Sequence, residues 1–226
     1  FTALNEITTQ DPLSGLAAIR YEWTTTTADP TNINSITCTG GSNVDITVGT
    51  TSQIVGSATS GKPTTSGDYY LHVCSRDRAG DITKTSSMYR LDTSAPTITF
   101  RNSGDTANYT SQSWISTDIT VRIKSSDTGG SAYKDTRHAW STSSTKPVSG
   151  WSSWTANANY TTVQSASGEW YLHVESRDEV DNTTYEFAGP YRLDKLAPVI
   201  SSVTGNTTSW QNTDVTLTVN ATDAHS

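Results

Sequence analysis

GEWYLHVESRDEVDNTTYEFAGPYRLDKLAPVI, residues 168–200, has an earlier counterpart in the same chain: GDYYLHVCSRDRAGDITKTSSMYRLDTSAPTI, residues 67–98. From Pro96 to Pro198 the step is 102 residues. A period that long exceeds one supersecondary element, so each copy is expected to be a domain with its own core. The spacing predicts a domain over residues 1–95 that lacks its opening strands, a complete domain over 96–197, and the opening strands of a third over 198–226. The segment APTITFRNSGDTANYTSQSWIST at 95–117 opens the second copy, and APVISSVTGNTTSWQNT at 197–213 opens another. The head, FTALNEITTQDPLSG, aligns instead with DITVRIKSSDTGG at 118–130 and DVTLTVNATDAHS at 214–226. Read this way, the chain is cut in mid-domain at both ends. An excerpt from a long array would look so, and so would a subunit whose tail completes the head of its neighbour by adding strands to an open sheet.

Within each copy the apolar residues alternate with polar ones. Ile19, Tyr21 and Trp23 share one face, with Arg20 and Glu22 opposite; Thr136, His138 and Trp140 face away from Arg137 and Ala139. Tyr69, Leu71 and Val73 are expected inward and Tyr70, His72, Cys74 and Arg76 outward, matched by Trp170, Leu172, Val174 against Tyr171, His173, Glu175, Arg177. Period-two alternation in short runs bounded by Gly, Ser, Thr and Asp is the pattern of half-buried antiparallel strands. The second copy is expected to form strands near 97–101, 117–124, 133–142, 159–165, 169–177 and 183–193. The fold class is all-β, a β-sandwich in tandem, with Trp23, Trp140, Leu71, Val73, Leu172 and Val174 in the cores.

Composition narrows the setting. Serine and threonine fill about a third of the positions, hydrophobic residues 33% and charged ones 16%, with a net charge of −7. Seven Trp and ten Tyr, placed at repeated positions, argue for sandwiches with hydroxyl-rich outer faces rather than disorder. An acidic chain without basic clusters offers little to nucleic acid or to anionic lipid, and no apolar run reaches the length of a membrane span.

Three motif pairs carry a resemblance: Tyr21 to Thr27 with His138 to Ser144, Gly67 to Asp77 with Gly168 to Asp178, and Tyr89 to Pro96 with Tyr191 to Pro198. Together they resemble the bacterial immunoglobulin-like repeat domains of large secreted and cell-surface proteins, over essentially the whole chain. The resemblance implies an extracellular, tandem-array setting, in which such domains serve as stalks, adhesin modules or accessory modules of secreted enzymes. The family commonly reads D-x-A-G-N in one turn; here Asp77-Arg78-Ala79-Gly80-Asp81 keeps the glycine and Asp178-Glu179-Val180-Asp181-Asn182 does not.

Four groups of side chains are candidates for chemistry. Trp151 and Trp154, in SGWSSWTANANY, have no counterpart at that spacing in the first copy. They either stack on sugar rings or cover a protein partner, or else cap the open end of the sandwich or pack against the next strand. Asp77, Asp81 and Asp92 recur approximately as Asp178, Asp181 and Asp194, and could supply oxygen ligands to Ca²⁺ or cap turns through backbone N–H groups. His72 and His173 occupy equivalent strand positions, which fits a repeated structural contact better than a catalytic pair; no H-E-x-x-H or G-x-S-x-G motif is present. Cys38 and Cys74 are expected to form a disulfide, because the copy with both cysteines also has 16 more residues between its Trp and the Gly that opens the long strand.

The expected function is therefore structural and adhesive, not enzymatic: a segment of a long extracellular surface protein or filament. Its partners are expected to be neighbouring repeats or copies of itself, with a glycan or host-surface protein as a further ligand. A carbohydrate-binding accessory module of a secreted enzyme is the alternative.

Overall fold

Wherever the alternation runs for four residues or more, the backbone is extended. The structure, a computed structural model, describes residues 7–10, 15–28, 38, 42–43, 52–55, 62–110, 113–205 and 207–225. These residues are all-β, and no helix occurs among them, so none is long and apolar enough to cross a membrane. The chain divides into two compact units, Phe1–Ser94 with Thr128–Ala132, and Ala95–Asp127 with Tyr133–Ser226.

In the first unit β1 (Ile7–Gln10) precedes β2 (Leu16–Thr24), β3 (Ser42–Asn43), β4 (Ser52–Val55), β5 (Gly67–Asp77) and β6 (Ile82–Leu91). β1 pairs antiparallel with β4, and an antiparallel sheet runs in the order β3-β2-β5-β6. One face of that sheet carries Leu16, Ile19, Tyr21 and Leu71, with Trp23, Val73 and Tyr89 packed against them. Trp23 meets Tyr89 edge to face at 5.1 Å between ring centroids. On the other face Cys74 is fully buried and bonded to Cys38, 36 residues away in sequence, with Ile82 packed alongside.

The second unit contains β7 (Thr97–Asn102), β8 (Trp114–Ile115), β9 (Ile119–Ser126), β10 (Tyr133–Ser141), β11 (Asn159–Gln164), β12 (Gly168–Asp178) and β13 (Thr183–Leu193), followed by β14 (Val199–Thr204) and β15 (Thr218–Thr222). Its sheets are β11-β9-β7 and β10-β12-β13-β8, with β14-β15 as a separate pair. Ile119, Val121 and Ile123 from the first sheet meet Leu172, Val174, Tyr191 and Leu193 from the second, so the two inner faces close on a single core. Ile98, Phe100, Tyr109, Trp140 and Tyr160 line its margin.

Two features depart from the sequence reading. β8 is absent from it: two residues have no period, and this strand exists only because Trp114 and Ile115 pair parallel with Arg192 and Leu193. The face of β5 and β12 expected outward is also not a solvated one. His72, Cys74, His173 and Glu175 are all buried. In the second unit the chain between β10 and β11 supplies part of this cover, Ser143 and Lys146 reaching His173 and Glu175.

The turn that lost its glycine keeps its closure. Asp77 N–H bonds to Asp81 O at 3.0 Å, and Asp178 N–H bonds to Asn182 O at 3.1 Å. Gly80 takes φ +102° and its counterpart Asp181 takes +67°. Aspartate is one of the few residues that enters the left-handed region at modest cost, which is why the substitution is tolerated.

Core burial decides stability here, because the outer surface is largely hydroxyl-bearing. Replacing the fully buried Leu172 by Ala is expected to lower the unfolding free energy of the second unit by about 3 kcal/mol. Val163→Ala, at a side chain 53% exposed on β11, is expected to change it by less than about 0.5 kcal/mol. Equilibrium denaturation of the two variants measures the difference.

Candidate functional site

Chemistry-bearing side chains gather on the outer face of β10 and β12 in the second unit. β12 presents His173, Glu175 and Arg177 there, and β10 presents Arg137 and Asp135 in register with it, Arg137 opposite Glu175. The residues between β10 and β11 are held to β10 by backbone bonds: Ser152 N–H to His138 O at 2.8 Å, and the reciprocal pair Thr136 and Thr155, each at 2.9 Å. This brings Trp151 and Trp154 over the sheet.

The tryptophans meet arginines. The Arg137 guanidinium lies 4.8 Å from the Trp151 ring centroid and 4.6 Å from that of Trp154, and Arg177 lies 4.3 Å from Trp154. The order Trp151–Arg137–Trp154–Arg177 is a ladder of cation–π contacts, each worth more as its members lose water. Trp151 is further fixed by its indole N–H, which donates to Pro147 O at 3.0 Å. Arg177 donates from Nε and Nη2 to the two oxygens of Asp135, at 2.6 and 3.0 Å. Both tryptophans are half-buried, and each has an arginine guanidinium stacked on its ring.

Glu175 is the electrostatic centre of the face. It is 5% exposed, accepts from Arg137 Nε at 2.7 Å and pairs with Lys146. Burial alone would raise its pKa, but the bonds from Lys146 and Arg137 outweigh burial and hold the carboxyl below its ordinary value. Lys146 also lies 4.8 Å from the Tyr185 ring centroid, and His173 stacks on Tyr185 and Phe187.

The histidine pair makes the repeated contact. His72 Nε2 lies 3.1 Å from Thr26 O, and His173 Nε2 lies 2.9 Å from Ser143 O. Thr26 and Ser143 each stand three residues after the strand tryptophan, Trp23 or Trp140. In both units the imidazole therefore ties the long strand to the chain that leaves its neighbour. His138 faces inward instead, with Nδ1 3.1 Å from Tyr160 Oη and Nε2 2.9 Å from Thr162 Oγ1. Thr162 Oγ1 also accepts the Trp140 indole N–H at 3.0 Å.

The aspartates divide by role. Asp77 accepts the N–H groups of Gly80 and Asp81, both at 2.7 Å, and Asp178 accepts those of Val180 and Asn182. These are turn caps. Asp92 is held by Ser131, Ser94 and Ser66, whose hydrogen bonds bring its pKa down to about 2. Asp181 pairs with Lys134 at 2.8 Å, Asp194 accepts the N–H of Leu196, and Asp81 is exposed. Asp178 also brings a carboxylate oxygen within 4.8 Å of one from Asp127, the kind of oxygen pair a hard cation takes.

Leu71, Leu172 and Val174 are buried as expected of core residues, while Trp23, Val73 and Trp140 are half-buried and pack on the core margin. The residues that sequence reading missed are Arg137, Arg177 and Lys146. Their signal was the coincidence of two cations on β10 and β12 with two tryptophans that only the second copy has. The chain matches no family model, no curated protein and no solved structure in the three comparisons made.

Burial lowers the His138 pKa in the folded chain from its ordinary 6.5. The unfolded chain then binds the proton first, so this contribution to stability is complete above pH 6.5 and is lost as pH falls below it. Thermal melts between pH 8 and 5 are expected to show a decline in the second unit that is weaker in His138→Gln. Glu175→Gln is expected to destabilise the same unit by about 2 kcal/mol at neutral pH, since Arg137 and Lys146 lose a charged acceptor.

Proposed function

We propose that this chain is a segment of a long extracellular protein built of immunoglobulin-like domains in tandem, which spaces or displays a binding surface. One observation carries the reading. At the same position of the long strand, Cys74 in the first unit and Glu175 in the second, a buried side chain ties the outer face of the sheet to another part of the chain, covalently to Cys38 in one case and ionically to Arg137 and Lys146 in the other. Two units tied across the same strand position by different chemistry are built to keep their shape. The disulfide fits an oxidising, extracellular environment. The links Arg90-Leu91-Asp92-Thr93-Ser94-Ala95-Pro96 and Arg192-Leu193-Asp194-Lys195-Leu196-Ala197-Pro198 support the same reading, because proline fixes φ and stiffens the short connection.

The carbohydrate-module reading rests on Trp151 and Trp154, and their rings already carry Arg137 and Arg177. Those contacts make the tryptophans part of the fold's own fastening, which is why the spacer reading is preferred.

A spacer resists extension, and pulling a single chain tests it. Each unit is expected to give its own unfolding event. Reducing the disulfide is expected to lengthen the contour released by the first unit by about 120 Å, from 36 bridged residues at about 3.4 Å each. Extension without discrete events would overturn the spacer reading. Glycan binding that Trp154→Ala abolishes would favour the alternative.

A further inference from the structure

Arg20 and Arg76 in the first unit stand where Arg137 and Arg177 stand in the second. On the outer face of β2 and β5, Arg20 lies opposite Cys74 and Arg76 opposite Ala18. On the outer face of β10 and β12, Arg137 lies opposite Glu175 and Arg177 opposite Asp135. The first unit therefore keeps both arginines of the pattern and has neither of the carboxylates that hold them.

The hydrogen bonds of the four side chains differ accordingly. Arg137 donates from Nε to Glu175 at 2.7 Å, and Arg177 from Nε to Asp135 at 2.6 Å. Arg20 and Arg76 are half-buried, and the Nε of each is buried with no hydrogen-bond partner among the described residues. Among the same residues neither forms an ion pair, and Glu22, two residues beyond Arg20 on the same face, pairs with neither. Lys84, opposite Cys74 on β6, adds a third cation to this face.

A guanidinium drawn partly out of water recovers the cost only through well-placed acceptors. Its planar fork takes a carboxylate through two parallel hydrogen bonds. The disulfide does not fill that role, because Cys74 brings no charge to the position of Glu175. Arg20 and Arg76 are diagonal neighbours across β2 and β5, a relation that sets Cβ atoms about 7 Å apart. Two guanidinium groups so spaced can share one carboxylate or hold the two ends of a short diacid.

We propose that Arg20 and Arg76 form a binding site for a carboxylate-bearing ligand on the outer face of the first unit. The ligand supplies from outside what Glu175 and Asp135 supply from within the second unit. Free diacids and the uronates of acidic glycans both carry this group. The inference rests on the strand register of the two units and not on the spacer reading.

Titrating the isotope-labelled chain with glutarate, and following the arginine Nε–H signals by NMR, tests it. Two of these signals, identified by their loss in Arg20→Gln and Arg76→Gln, are expected to shift together and to saturate. Sodium chloride at matched ionic strength is expected to leave them in place. Either single variant is expected to weaken glutarate binding about tenfold, with the backbone spectrum showing that the fold is kept. Ala18→Asp puts back the carboxylate that Asp135 provides in the second unit, so it is expected to abolish binding. Oligogalacturonate that binds more tightly than glutarate per carboxylate assigns the ligand to an acidic glycan, and equal or weaker binding assigns it to a free diacid. The absence of a saturable shift, a shift that chloride reproduces, or binding that a folded Ala18→Asp chain leaves intact would overturn the proposal.

Discussion

Both faces of β12 are buried, and the rest of the second unit follows from that condition. One face needs a second sheet, which Ile119, Val121 and Ile123 supply. The other cannot be left to water once it carries Glu175 and His173, because a buried carboxylate without partners costs several kcal/mol. Arg137, Lys146 and the chain between β10 and β11 are the answer to that cost. The tryptophans cover part of each guanidinium, leaving the Arg137 and Arg177 side chains 30% and 29% exposed.

The first unit solves the same geometrical problem with different material. Cys74 stands opposite Arg20 on β2, as Glu175 stands opposite Arg137 on β10. A disulfide closing 36 residues removes denatured-state entropy worth about 4 kcal/mol in the simple chain model, and needs no countercharge. The shared part of the design is the histidine that ties the long strand to the chain beyond the tryptophan; the variable part is the fastening itself.

Much of the sandwich was legible because strands leave a period. The ends of β7, β10, β11, β12 and β13 fall within a residue of where alternation places them, and those of β9 within two. Inner-face residues such as Leu172 and Val174 could be named from their neighbours alone. β8 could not, since two residues carry no period and their strand is made by tertiary pairing. The outer face misled for a related reason. Alternation reports which side a residue points to, and says nothing of what a distant loop lays on top. Trp151 and Trp154 drew attention as aromatics in a polar run. Their partners Arg137 and Arg177 lie 14 to 23 residues away in sequence, and only the register of β10 on β12 unites them.

Neighbouring copies of one sequence share a folding hazard: strands of similar sequence can trade places between adjacent domains. Gly67–Asp77 and Gly168–Asp178 differ at few positions, and one of them is the fastening residue. Were β5 to enter the second sandwich, Cys74 would face Arg137 and Lys146 with no carboxylate for either. Were β12 to enter the first, Glu175 would be shut in beside Arg20 and Cys38, and the thiol of Cys38 would have lost its sulfur partner. Each exchange breaks two fastenings at once. The position of Cys74 and Glu175, in a strand that otherwise changes only by Asp68 to Glu169 and Tyr69 to Trp170, thus works as an address, telling each strand which of two nearly identical homes is its own.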